Sequence, residues 1–426
     1  MELHQLPSGN ELQNLHRVLF ERFHNEWKGI SAHELLDFVS VKTEQALTFE
    51  ELSDRLSNQN KVSVKFGIDP TGPDVHLGHL VPIMLLRQFQ KAGHTACLII
   101  GDFTATIGDP SGRDSQRSVL TSTQVTQNKK TYLKQIAPYL NVKTAKIYHN
   151  SAWLSKLTAK QILSDLQQLS LSQILQREDF RTRMENGVPL SVAEVLYSYF
   201  QGMDSVHLEP DIELGGRDQF LNLAHAREIM RIHNQKPQVN IVTPVLEGTS
   251  GDGRKMSKSY GNYIALSMAP EDIFGKIMSM PDSLIIPYIK AFADIKKTEL
   301  PHFEEVTRQH PLEMKKQLAQ FMVAIATKKL TQAKIQRDLF EKKFSKKEFD
   351  VDMPTCILTK DITLFEALKN EQGVVHMSNT EIRRLFTEGA VKIVSPYEKT
   401  LGIADTIQDS CVVRIGKKLF LKIEIA

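Results

Sequence analysis

KVSVKFGIDPTGPDVHLGHLVPIMLLRQFQKAGHTACLIIGD, residues 61–102, decides the fold. Val62, Val64, Phe66 and Ile68 alternate along its start, which is the two-residue period of a strand. DPTGPD follows and is dense in turn formers. Residues 76–93, HLGHLVPIMLLRQFQKAG, have helical spacing and close on a glycine. ACLIIGD is a continuous apolar run, as expected of a strand buried on both faces of a parallel sheet. Strand, turn, helix and strand make a βαβ unit with a right-handed crossover. The expected fold class is therefore α/β.

Reading outward, residues 1–45 have the pattern of an amphipathic helical extension. Helical spacing recurs over 129–140, 159–176 and 190–207, with a strand expected at 145–149. DIELGGRDQ reads as a strand, a tight glycine turn and a helix start, and QVNIVTPVLEG as a late strand. Residues 270–347 are helical and rich in lysine. From about Pro354 the pattern changes to short strands and one helix. The expected domains are an extension over 1–45, a parallel-sheet domain over 46–262 with a helical insertion at about 125–190, a helical domain over 263–350, and a small α+β domain over 354–426.

Composition narrows the function classes. The chain has 426 residues, 41% hydrophobic and 24% charged, which suits two or three globular domains. The formal net charge is +3, so any nucleic-acid contact must come from local patches. Cys97, Cys356 and Cys411 form no CxxC pair, which argues against a disulfide framework and against a zinc site. No metal ligands are assigned. The start, MELHQLPSGNELQ, lacks the apolar core of a signal peptide. No apolar run approaches about 18 residues, so neither a membrane span nor a membrane partner is expected, and the expected location is the cytoplasm.

Two motifs carry chemistry. His76-Leu77-Gly78-His79 sits where the first strand hands over to its helix, at the carboxyl end of a strand where open α/β sheets bind ligands. A helix amino terminus there offers N–H groups to phosphates. Two imidazoles one turn apart point the same way, and Gly78 allows a flat group to approach the backbone. Far downstream, GDGRKMSKSYGNYI (residues 251–264) concentrates basic and hydroxyl side chains among glycines. A third pattern lies on the predicted helix at 190–207. Tyr197, Gln201 and Asp204 are spaced i, i+4 and i+7, which puts a phenol, a carboxamide and a carboxylate on one face.

HLGH with KMSKS resembles the paired signatures of class I aminoacyl-tRNA synthetases. YxxxQxxD on a helix followed by GGxDQ is similar to the tyrosyl-tRNA synthetases of bacterial type. The resemblance runs from about Glu44 to the carboxyl terminus. It implies a Rossmann-like catalytic domain that joins tyrosine to ATP and then to tRNA(Tyr), in a homodimer. ATP is then a substrate, accompanied by Mg2+ that no dedicated protein site holds. The resemblance implies that His76 and His79 cradle the ATP phosphates, that Lys255 and Lys258 neutralise the departing pyrophosphate from a loop that closes and reopens, and that Arg113 and Arg117 reach over it. Asp69, Gly78, Gly215, Gly216 and Asp218 complete the ATP set. Asp204 takes the substrate phenol, and Tyr197, Gln201 and Asp109 surround its ammonium group. Lys65, Thr104 and Gln219 complete the tyrosine set. SNTEIRRLFTEGAVKI resembles an S4 domain, which implies RNA contacts by Arg383, Arg384, Lys392, Lys417 and Lys418. The helical domain resembles an anticodon-arm-binding domain.

Several positions depart from the family pattern. Arg217 replaces a small residue in GGRDQ, where it would pair with Asp218 or with substrate. Met203 replaces an aromatic residue, and Val394-Ser395-Pro396 stands where an asparagine-glycine hairpin is usual. Two alternatives follow: a paralogue that activates a tyrosine analogue, and a catalytically silent RNA-binding relative.

Overall fold

The computed structural model describes residues 17–25, 27, 29–46, 49–111, 120–342, 354–358, 362–370, 377–416 and 419–425. Two compact units divide between Lys334 and Ile335. The first is built on a six-stranded sheet of β1 (Gln45–Ala46), β2 (Ser63–Ile68), β3 (Thr95–Ile100), β4 (Lys146–His149), β5 (Ile212–Gly216) and β6 (Val239–Thr243), in the order β1-β6-β5-β2-β3-β4. β2 to β6 are parallel, and β1 closes the edge antiparallel to β6. The chain runs outward from β2 through β3 to β4, then returns to the other side of β2 with β5. The carboxyl ends of β2 and β5 therefore flank the point where strand order reverses, which is where such sheets bind ligands.

The opening reading holds for β2, the Leu77–Lys91 helix and β3. Gly93 supplies the left-handed turn after the helix, at φ +93°. All five residues of β6 are buried, as are five of six in β3, so both faces of the sheet are covered. The alternation in β2 does not mark a wet face. Lys65, between Val64 and Phe66, is itself buried at 1% exposure.

The helix expected at 159–176 is two short ones, Ala159–Leu166 and Leu171–Ile174, parted where Ser170 takes an extended conformation. The helix expected at 190–207 is also two. A capping box of Ser191 and Glu194 starts Val192–Val195, and Tyr197–Leu208 follows a break at Leu196. Gly202 on that second helix has no room for a Cβ, which would lie 2.4 Å from Ile229 Cδ1 of the Phe220–Ile232 helix.

Residues 263–334 belong to the first compact unit. The Pro270–Ser279, Ile285–Phe292 and Pro311–Thr327 helices bury Ile273, Phe274, Tyr288, Phe292, Phe321 and Met322. Phe20 and Phe23 of the amino-terminal segment set their edges against Phe321, with centroids 5.6 and 5.7 Å apart. Tyr288 donates to the Glu247 carbonyl at 2.8 Å. No helix among the described residues is long and apolar enough to cross a membrane.

The second unit holds a five-stranded sheet of β7 (Thr355–Leu358), β8 (Val391–Ser395), β9 (Lys399–Thr400), β10 (Cys411–Ile415) and β11 (Leu419–Ile425), ordered β7-β11-β10-β8-β9. One face of this sheet and the Leu364–Asn370 and Asn379–Thr387 helices enclose a core of Leu364, Leu368, Ile382, Phe386, Val391, Val413 and Ile423. β8 runs on through Ser395, and the chain turns at 396–398 to reach β9.

Candidate active site

A cavity of about 290 Å³ opens at the strand-order reversal. His76 caps the Leu77–Lys91 helix on one wall. Its Nδ1 accepts from Gly78 N at 3.1 Å, and His79 Nδ1 accepts from His76 N at 3.3 Å. The rings stack with centroids 3.8 Å apart. A Cβ on Gly78 would lie 3.0 Å from His76 Cε1, so this glycine makes room for the imidazole as well as bordering the cavity. The helix start does not offer open N–H groups. Leu77 N donates to the Ile264 carbonyl, Gly78 N to His76 and His79 N to the His76 carbonyl. An anion here must be met by side chains. Because each Nδ1 accepts, each neutral ring carries its proton on Nε2 as a donor. Burial, with Lys258 and Lys255 adding to it, lowers His76 to about 4, so it is neutral at physiological pH.

The lysine loop reaches the same cavity. Lys255 Nζ lies 3.9 Å from Asp218 Oδ2, and Lys258 Nζ lies 3.9 Å from Asp74 Oδ2. Lys258 Nζ also sits 3.3 Å from the point where Gly72 would carry a Cβ, which places it over the DPTG turn. The loop is bracketed. Met256 is buried and its N–H bonds to the Leu246 carbonyl at 2.8 Å. Asn262 accepts from Ser257 N at 2.9 Å and donates to the Lys255 carbonyl at 3.2 Å.

At the other end the Tyr197–Leu208 helix presents Tyr197, Gln201 and Asp204 to the cavity. Tyr197 donates to Asp69 Oδ2 at 2.9 Å and Thr104 donates to Asp69 Oδ1 at 2.7 Å. Asp109 accepts from Gln219 Nε2 at 2.6 Å and from Ser111 N at 3.0 Å. Asp204 is 4% exposed and accepts from Trp153 Nε1 at 2.9 Å and Asn150 Nδ2 at 3.2 Å. Burial pushes its carboxyl up to about 7, with Glu213 adding, against the pull of Lys65, Trp153 and Asn150. Gly215, Gly216 and Asp218 border the cavity at the end of β5. Burial and nearby Asp109 raise the Asp218 carboxyl.

Three expectations change. Lys65 does not line the cavity; its ammonium turns to Glu213 at 2.9 Å, because the two residues face each other in register on β2 and β5. Arg217 leaves Asp218 alone and pairs with Glu44 at 2.6 Å, with 71% of its side chain exposed. Met203 packs with Leu154, Tyr199 and Ile229 and does not line the cavity. Arg113, Arg117, Lys417 and Lys418 lie outside the described residues. In the second unit Arg383 and Arg384 are exposed on one helix, and Lys392 faces Arg414 across β8 and β10.

Asn150, Trp153 and Glu213 escaped the sequence reading. Asn150 and Trp153 follow β4 at its carboxyl end, a position that marks ligand-side residues in a parallel sheet. Glu213 had a signal too: it and Lys65 are opposite charges that interrupt two otherwise apolar strands.

A doubly wound sheet that brings HLGH and KMSKS onto one cavity is the catalytic unit of a class I aminoacyl-tRNA synthetase, and a family model of class I tRNA synthetases (W and Y) matches residues 57–343. The curated tyrosine–tRNA ligase of Thermotoga maritima is 38% identical over 377 residues, covering 88% of this chain and 93% of that one. That of Aquifex aeolicus is 37% identical over 395 residues, covering 92% and 99%. The chain belongs to the bacterial-type tyrosyl-tRNA synthetase family. A C-terminally truncated mitochondrial tyrosyl-tRNA synthetase from Aspergillus nidulans shares the fold, with a TM-score of 0.62 at 20% identity, covering 78% of this chain and 99% of that one.

Proposed function

We propose that the protein activates L-tyrosine with ATP and transfers the tyrosyl group to the terminal ribose of tRNA(Tyr). One observation carries this reading: His76, His79 and Lys255 line the cavity that Tyr197, Gln201 and Asp204 also line. A substrate carboxylate oxygen attacks the α-phosphorus, and the bond from that phosphorus to pyrophosphate breaks. The Nε2 donors of His76 and His79 would meet phosphate oxygens, and Lys255 and Lys258 would take up the charge gathering on the leaving group. Asp204 accepts from the phenol, and Asp109, Tyr197 and Gln201 surround the ammonium group, with Thr104 supporting this pocket from its bond to Asp69. Gln219 lies by the carboxylate. Asp218 and the Gly215-Gly216 turn receive the ribose, and Asp69 borders the ATP. The ribose hydroxyl of tRNA then attacks the carbonyl carbon and releases AMP. Rate comes from placing reactants and stabilising charge, without a covalent enzyme intermediate.

Mg2+ travels with the triphosphate in this reading; among the described residues no group of three or more His, Cys, Asp or Glu side chains is placed to hold it. We assign residues 46–262 to catalysis, 263–350 to the anticodon arm and 354–426 to RNA binding through Arg383, Arg384 and Lys392. Exposed Leu163, Leu171 and Met184 in the helical insertion, with exposed Val192 just after it, support a homodimer. The location we assign is the cytoplasm. Arg217 and Met203, which left room for a tyrosine analogue, do not line the cavity, and this favours tyrosine. ATP–pyrophosphate exchange over a panel of amino acids tests the reading. Exchange with tyrosine is expected; exchange with an analogue and none with tyrosine overturns it.

A further inference from the structure

Lys65 and Glu213 are 1% and 2% exposed, and their charges lie 2.9 Å apart. Lys65 also donates to Ser205 Oγ at 2.5 Å, and Ser205 donates to Glu213 Oε2 at 3.2 Å. Gln238 donates to the same carboxylate. Such a pair is poor fold stabilisation, since apolar residues of similar volume serve a core equally well or better. Its place suggests another use. Ser205 adjoins Asp204, the buried carboxylate that borders the cavity.

The surroundings of Asp204 are unevenly charged. β2 brings Lys65, and β5 brings Glu213. The segment after β4 brings only neutral donors, Asn150 and Trp153. On its own helix Tyr197 is engaged with Asp69, and His207 stacks on Trp153 at 4.4 Å. Asp165 of the Ala159–Leu166 helix is turned to Tyr199 at 2.8 Å. Lys65 therefore acts on two buried carboxylates, Glu213 by direct contact and Asp204 through space.

We propose that the Lys65–Glu213 pair is a specificity element: Lys65 keeps Asp204 an ionised acceptor, and Glu213 holds Lys65 back from the cavity. This rests on reading the cavity as a tyrosine site. An ionised carboxylate has only acceptor positions, so it demands a donor from the ligand. A phenol supplies one, and a phenyl ring leaves a buried acceptor unpaired. If Asp204 gains a proton, it loses that demand and the selectivity weakens. Lys65 is here a positioning residue that acts through Asp204, without touching substrate.

The test is ATP–pyrophosphate exchange by the full-length chain with tyrosine and with phenylalanine, from pH 5.5 to 9.5. Wild-type exchange with tyrosine is measured first; its absence sinks the functional reading itself. In the wild type the KM for tyrosine should rise as pH falls through the Asp204 titration. Lys65→Met should move that limb up by about one pH unit or more, raising KM about fivefold or more at pH 7. Its kcat should stay near wild type, and its tyrosine-over-phenylalanine ratio should fall by a similar factor. Glu213→Gln, which keeps shape and loses charge, should move the limb down by about one unit. The double variant removes one charge of each sign, so the limb and the ratio should return toward wild type. A lost direct contact between Lys65 and tyrosine would give no such recovery. The inference fails if neither single variant moves the limb, or if the double variant is as impaired as Lys65→Met. Should Lys65→Met not fold, the direction of the Glu213→Gln limb decides alone.

Discussion

Replacing Asp294 by asparagine should unfold the first unit at a markedly lower temperature. Asp294 is completely buried, and its Oδ2 meets Arg87 at 3.0 Å and Lys91 at 2.7 Å. Its Oδ1 accepts from Gln88 at 3.0 Å. Arg22 donates to its carbonyl at 3.1 Å, and Lys42 donates to the Ala293 carbonyl at 2.5 Å. The carboxylate thus ties the helix that begins at His76 to the segment after the Ile285–Phe292 helix, and the main-chain carbonyls of Ala293 and Asp294 tie the amino-terminal segment to the same place. Burial would raise its carboxyl, yet Arg87, Lys91 and Lys42 outweigh this and hold it at about 2, against 3.8 for a free aspartate. At roughly 1.36 kcal/mol per decade of proton affinity, that difference is worth about 2.5 kcal/mol at neutral pH. It is present above pH 4 and lost as pH falls toward 2. Asparagine forfeits it and leaves the cations buried without a counter-charge, so about 3–5 kcal/mol is expected. The corresponding fall in Tm is on the order of 10 °C.

The pH dependence gives this prediction its edge. Burial lowers Lys42 to about 7 and Lys91 to about 8, with Asp294 holding both up. A lysine whose folded value lies below its unfolded one binds more protons unfolded, so stability rises with pH between the two values. Without Asp294 both lysines release their protons at lower pH still. The defect should therefore be largest near pH 6 and shrink by pH 9.5. Thermal unfolding followed by circular dichroism at those two values measures it. A fall in Tm of less than about 2 °C, or an equal fall at both pH values, would refute the reasoning.

His76→Ala should lower kcat for pyrophosphate exchange by about 100-fold, the scale for losing one preorganised donor, with little change in the KM for tyrosine. Gly101→Ala would place a Cβ 2.0 Å from Asp69 Oδ1 and 2.4 Å from Thr104 Oγ1; loss of that hydrogen bond should cost about 1–3 kcal/mol in urea unfolding. Asn262→Ala removes two of the bonds that bracket the lysine loop, and should raise the KM for ATP several-fold in exchange kinetics while leaving that for tyrosine. Deleting residues 354–426 should leave exchange intact and abolish tight tRNA binding in a filter assay; retained binding would count against an RNA role for that unit.

Much of this was legible because parallel sheets are written in apolar runs. Residues 61–102 gave strand, helix and strand near their observed bounds. Tyr197, Gln201 and Asp204 could be placed together because helical spacing alone puts them on one face. What stayed hidden depends on partners distant in the chain. Alternation in β2 reads as one wet face, and nothing local says that Lys65 meets Glu213, 148 positions later. The helical breaks at Ser170 and Leu196 carry no proline or glycine, so periodicity ran straight through them. The arginine at 217 suggested a pairing with Asp218 or with substrate, since only the fold brings Glu44 beside it.

The cavity's charge layout bears on how two substrates enter in one orientation. Asp69, Asp109, Asp204, Glu213 and Asp218 line the cavity together with Lys255, whose Nζ lies 3.9 Å from Asp218, and Lys258 sits over the DPTG turn. A triphosphate turned toward Asp109 and Asp204 would meet repulsion at close range, while an ammonium group there is matched. His76 stands near both lysines. Burial keeps it neutral, so in the proposed reaction it would serve as a directional donor whose bond strengthens as charge moves onto the phosphate oxygens, and only such differential binding speeds a chemical step. The same helix that begins with this imidazole carries Arg87, Gln88 and Lys91 into the Asp294 knot. The donor's position is thus fixed at the far end of its own helix by a charge cluster remote from the reacting atoms.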